Sequence, residues 1–161
     1  MILALSTRPH GARNAVAHDE DGTRLVWELL AEPPGDELLA APVEVQDGWL
    51  MRLDRVDFPP GGVAYRHTHP GPGIRYLVAG SIEIDAGGES HRYGPGEAWF
   101  ESGPEPVRAI ASASDDTAFV RVLLLPPEWA RKRTIRYVDP VDEEKPKTQR
   151  ATVFSETPIS L

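Results

Sequence analysis

At 161 residues the chain suits a single domain that buries about two-thirds of the surface its unfolded form would expose. Its 16 Pro and 14 Gly interrupt it too often for long helices, and no apolar run is long enough to span a bilayer, so an all-β fold with many turns is expected. A net charge of −8 argues against a nucleic-acid surface, and the absence of Cys excludes a disulfide framework, a thiolate metal site and a Cys nucleophile.

In chain order, "MILALSTRPHGARN" opens with only five apolar residues and no basic residue before them. It does not read as a secretory signal, so the cytoplasm is the expected location. Residues 1–22 carry little periodicity and read as a loose or partner-dependent arm. "RLVWELLAE" (24–32) and "DELLAAPVEV" (36–45) are apolar pieces separated by Pro33, Pro34 and Gly35, compatible with strands or with single helical turns. Residues 1–48 are therefore taken as an N-terminal arm packing on a barrel.

From Trp49 the pattern sharpens, with Trp49, Met51 and Leu53 alternating against Leu50, Arg52 and Asp54. Strands are predicted at 49–58, 63–69, 74–79, 81–86, 89–93, 97–101, 106–112 and 117–125. Gly80-Ser81, Gly87-Gly88, Gly94-Pro95-Gly96, Gly103-Pro104 and Ser114-Asp115-Asp116 supply turns between them. Strands at this regular spacing suggest a sandwich or barrel, here over residues 49–125. Residues 126–161 form a C-terminal extension with at most two more strands, near 133–138 and 151–154, packing on its own barrel or on a second subunit. The basic run Arg131-Lys132-Arg133 with Arg136 is offset by Asp139, Asp142, Glu143 and Glu144 and reads as a solvated segment.

The chemistry concentrates in "YRHTHPGPGIRYLVAG" (65–80). Residues i and i+2 of a strand share a face, so His67 and His69 would project together and could share a metal ion. Imidazole suits Fe, Mn, Zn, Ni or Cu, but an H-x-H pair alone is a weak signal.

The surrounding residues resemble the cupin family. Gly62, His67, His69 and Gly80 fit its first motif, "IRYLVAGSIEI" (74–84) its strand–turn–strand, and "YGPGEAWFESGPEPV" (93–107) much of its second motif. The resemblance covers residues 49–125 and implies a single jelly-roll barrel, a double-stranded β-helix, with N- and C-terminal extensions. It also implies a divalent metal, a small-molecule ligand and a homodimer; from the charge and the lack of a long apolar run, no nucleic-acid or membrane partner is expected. The position of the family's metal-binding Glu falls on Gly73, however, and that of its third His on or beside Val107. Glu101 is the candidate to complete a two-His, one-carboxylate set; alternatively it pairs with Arg75 or faces solvent.

An inward Arg75 would clamp a carboxylate or other anion. Tyr65, at the same parity as both histidines, would either donate a hydrogen bond to that ligand or plug the barrel. The expected function is a metal-binding cupin acting on a small anionic or oxygenated molecule, by dioxygenase, isomerase or lyase chemistry. The alternative is a non-catalytic ligand-binding barrel with a vestigial metal site.

Overall fold

The computed structural model describes residues 1–161, arranged as three antiparallel sheets. The first contains β1 (Ile2–Ser6), β2 (Asn14–His18), β3 (Arg24–Leu30) and β4 (Leu39–Pro42), in the order β2-β3-β1-β4. Residues 1–22 are thus not a loose arm. The reason their sequence hides this is that Leu3, Ala4, Leu5 and Ser6 are all fully buried in a central strand, and a strand covered on both faces loses the alternation of a half-buried one.

All eight strands expected between 49 and 125 form, within a residue of their predicted ends: β5 (Leu50–Phe58), β6 (Val63–Thr68), β7 (Gly73–Ala79), β8 (Ile82–Ala86), β9 (Glu89–Tyr93), β10 (Ala98–Glu101), β11 (Val107–Ala111) and β12 (Thr117–Leu125). β13 (Arg136–Tyr137) and β14 (Arg150–Pro158) follow, separated by short 3-10 turns at Pro127–Trp129 and Pro140–Glu143. One barrel sheet runs β10-β7-β12-β5-β14 and the other β13-β6-β11-β8-β9.

The parity of β5 explains how the layers stack. Met51 and Leu53 turn outward with Ile74, Tyr76, Val120, Val122 and Leu124, and pack under Leu3, Leu5, Leu25 and Trp27 of the first sheet. Buried Trp27 fixes that contact by donating its Nε1–H to the Ile74 carbonyl at 3.1 Å. The opposite face of the same barrel sheet contributes Val56, Phe58, Leu77 and Phe119 to an inner core, against Ala64, Ile82, Ile84, Val107 and Ala109 of the other. A sheet covered on both faces must be apolar on both, which is why "GIRYLVA" and "TAFVRVLLL" read as nearly continuous apolar runs.

The C-terminal extension crosses between the barrel sheets twice. It leaves β12, passes over the interior to pair as β13 with β6, and then returns as β14 to pair along the length of β5. Arg52 fastens the first crossing: its guanidinium donates to the carbonyls of Lys132 and Trp129, each at 2.8 Å, and pairs with Glu156 of β14 at 3.3 Å.

Candidate functional site

The barrel encloses a cavity of about 700 Å³ between its two sheets, one side of which is closed by the two crossings. On β5, Arg52, Asp54, Val56 and Phe58 line it in strict alternation, and across the ladder Phe119 and Arg121 stand opposite Val56 and Asp54.

β6 does not keep such simple parity. Val107 is the register partner of His67, yet Ala109 pairs with Ala64, so β6 spends three residues where β11 spends two. This bulge brings Ala64 to the cavity face together with His67 and His69. It also removes Tyr65 from the lining: the half-buried ring packs instead against Lys145, whose Nζ lies 4.7 Å from its centroid. The expectation that Tyr65 shares the histidine face assumed an uninterrupted strand.

His67 and His69 are 5% exposed, and their rings meet edge to face with centroids 4.9 Å apart. Nδ1 of His67 donates to the Tyr65 carbonyl at 2.6 Å, and Nδ1 of His69 is bonded to Thr134 Oγ1 at 3.0 Å. These contacts orient both rings and leave Nε2 as the free nitrogen of each. Burial lowers the pKa of His67, an effect the Tyr65 carbonyl and Glu101 oppose. Burial pushes His69 down further, reinforced by the positive charges of Arg121 and Arg75. Both imidazoles are therefore neutral at pH 7.

Arg75 is inward and fully buried, its Nη2 2.7 Å from Glu101 Oε2 and its Nη1 donating to the Gly73 carbonyl at 2.9 Å. Nη2 lies close to Glu101 but off the line of a hydrogen bond, so that contact is ionic. Burial lowers the guanidinium pKa to about 10, against the pull of Glu101, and Arg75 stays charged. The other Glu101 oxygen accepts from Trp99 Nε1 at 2.9 Å. A second pair is bidentate, with Arg121 donating to Asp54 at 2.7 and 3.0 Å.

Two imidazoles are half of a usual metal donor set, and the residues present do not complete it. Val107 occupies the place opposite His67, and no third His, Cys, Asp or Glu joins the pair. At Gly73 a side chain has no room: a Cβ there would lie 2.3 Å from the Val122 carbonyl oxygen. With the Arg75 and Arg121 guanidinium groups acting on the imidazoles from the same cavity, the donor set does not fit a divalent ion held by protein alone.

Arg121, Asp54 and Arg52 escaped the sequence reading, although each was signalled. Arg121 interrupts an apolar strand, and Arg52 and Asp54 sit on the face opposite Met51 and Leu53. The basic run at 131–133 is solvent-exposed as expected, but it lines the cavity together with Lys147 and Arg150.

Residues 54–122 match the family model described as a cupin domain. Among solved structures, the polyketide cyclase RemF from Streptomyces resistomycificus is 23% identical with a TM-score of 0.45, over 55% of this chain and 61% of that one. The DMSP lyase DddQ from Ruegeria pomeroyi DSS-3 is 22% identical with a TM-score of 0.46, over 55% of this chain and 44% of that one. KdgF from Halomonas sp. is 25% identical with a TM-score of 0.43, over 54% and 79%. The chain thus spans less than two-thirds of the first two structures. A search of curated protein sequences finds no match. The match over 54–122 falls on the jelly-roll strands themselves, and over those residues the chain carries a cupin domain.

Proposed function

We propose that the barrel binds a small organic anion. The observation that carries this reading is the charge of the cavity. Eight of the chain's 17 Lys and Arg residues line it, against three carboxylates. All three carboxylates are already paired, Asp54 with Arg121, Glu101 with Arg75 and Glu156 with Arg52. Arg131, Lys132, Arg133, Lys147 and Arg150 remain without a carboxylate partner, all on the C-terminal crossings or their junction with β14. In a protein of net charge −8, such local concentration of positive charge favours an anion at this place. Two buried polar atoms without hydrogen-bond partners, Arg75 Nη2 and Gln149 Oε1, belong to residues on the same cavity and offer further contacts to a ligand.

On a bound acid, the free Nε2 atoms of the neutral imidazoles serve as proton acceptors, and the buried guanidinium groups steady the anion that proton removal leaves. This is the chemistry of an isomerase or lyase acting beside a carbonyl. Without proton transfer, the same cavity is a ligand-binding module.

A thermal-shift panel of carboxylates and phosphates tests the binding step. Stabilisation by at least one anion, reduced in Arg133→Gln/Lys147→Gln, is expected. A panel in which no anion raises Tm, or in which the double variant responds as the wild type does, defeats the reading.

A second reading keeps His67, His69 and Glu101 as ligands of a divalent transition metal. One observation favours it: both histidines are oriented through Nδ1, leaving Nε2 free, as metal-binding imidazoles are. It stands second because Glu101 would have to leave Arg75 buried and unpaired. Metal analysis of protein purified without an affinity tag separates the two, since the first requires no stoichiometric metal and the second does.

A further inference from the structure

The cavity is chemically two-sided, and its two sides come from different parts of the chain. Toward the far end of β5, Val56 and Phe58 meet Phe119, Ala64, Ile84 and Ala109, and this region contains no ionisable side chain among those six. The unpaired cations come from the C-terminal crossings, which edge the cavity along the length of β5, with Arg131, Lys132 and Arg133 beside Arg52 and Arg150 across the ladder from Asp57. A small hydrophilic anion would satisfy the cations and leave the apolar end filled with poorly bonded water. A neutral hydrocarbon would do the reverse. The volume, about 700 Å³, lies within the range that holds a drug-sized molecule rather than an oxalate or a phosphate ion alone.

We infer that the ligand is an organic acid with a bulky apolar body, aromatic or alicyclic, whose ring system lies among Val56, Phe58, Ile84 and Phe119 while its anionic group faces the cations of the two crossings. This inference rests on the anion-binding reading above and adds the body that the anion must carry. The two neutral histidines and Arg75 lie on the same cavity, where they would contact the atoms that join acid to ring.

The test is isothermal titration of the full chain with four probes: 2-naphthoate, its neutral analogue 2-naphthylmethanol, acetate and inorganic phosphate. Naphthoate is expected to bind at least about tenfold more tightly than each of the other three, because only it engages both sides. Arg133 is exposed, and half-buried Lys147 donates only to the backbone carbonyls of Glu143 and Lys145, to which a glutamine amide can still donate, so Arg133→Gln/Lys147→Gln should keep the fold; it is expected to weaken naphthoate severalfold and leave naphthylmethanol unchanged. Ala109→Leu, which fills the apolar end, should weaken naphthoate and spare phosphate. Should acetate or phosphate bind as tightly as naphthoate, the apolar body is overturned while anion binding stands. Should naphthylmethanol equal naphthoate, or no probe bind, both readings fail.

Discussion

Arg75 and Glu101 meet at 2.7 Å inside the barrel, and each decides what the other can do. The carboxylate that could have joined His67 and His69 is held by a guanidinium with almost no water around it: the two side chains are 1% and 9% exposed. Breaking such a pair strands a charge, whereas replacing both members with apolar groups removes the problem along with the attraction. Glu101→Gln is therefore expected to cost roughly 3 kcal/mol in urea denaturation. Arg75→Met/Glu101→Leu should cost less than that single change, and a double variant as damaged as the sum of its singles would contradict the pairing.

The two missing metal positions differ in whether they can be restored. Val107 is the register partner of His67, so Val107→His would place a third imidazole across from the pair at normal cross-strand distance. That variant is expected to fold and to bind Zn²⁺ more tightly than the wild type by calorimetry. Gly73→Glu should fail instead, because its Cβ would stand 2.3 Å from a backbone oxygen of β12. A soluble, well-folded Gly73→Glu protein with raised metal affinity would refute the packing argument.

Acid should destabilise the metal-free protein. Burial lowers the folded-state pKa of His67 and His69 below the ordinary imidazole value of 6.5, so below that pH the unfolded chain takes up protons that the folded chain refuses. Stability is complete above pH 6.5 and falls as pH drops toward the lowered values, with a limiting slope of about 1.4 kcal/mol per pH unit for each histidine. Denaturation of chelator-treated protein between about pH 7 and 5 measures this. His69→Gln should flatten the dependence, and an unchanged slope in that variant would count against it.

The bulge in β6 makes a prediction about Tyr65. Because its ring lies outside the cavity, Tyr65→Phe should leave the affinity of any cavity ligand within about twofold of wild type. Thr134→Val, which removes the partner of His69 Nδ1, should weaken a ligand that contacts the imidazole and lower Tm by a few degrees, because it leaves a buried ring nitrogen unpaired. Equal losses from the two substitutions would mean that the bulge does not turn Tyr65 away.

The barrel could be read from the chain because its determinants are local. Alternation, Gly and Pro turns and the spacing of Gly62, His67, His69 and Gly80 are features of neighbouring residues, and they gave eight strands nearly to the residue. The inward Arg75 and outward Tyr76 followed from the same two-residue period, and Tyr76 indeed reaches away to Asp19 at 3.2 Å. Two features resisted that logic. A strand buried on both faces, such as β1, has no period to detect, and a single extra residue in β6 reverses the facing of everything before it.

What the sequence by itself determined is the strand pattern, the paired histidines, and a Gly and a Val at the two places where the resemblance puts metal ligands. What only the tertiary structure decided is the company those histidines keep. Arg121, paired with Asp54, brings its charge to His69 from a strand distant in sequence, Thr134 orients that ring from the C-terminal extension, and the basic run at 131–133 becomes one side of a cavity. Charge takes its meaning from what lies across the space it faces, and that space exists only once the extension has crossed between the two sheets.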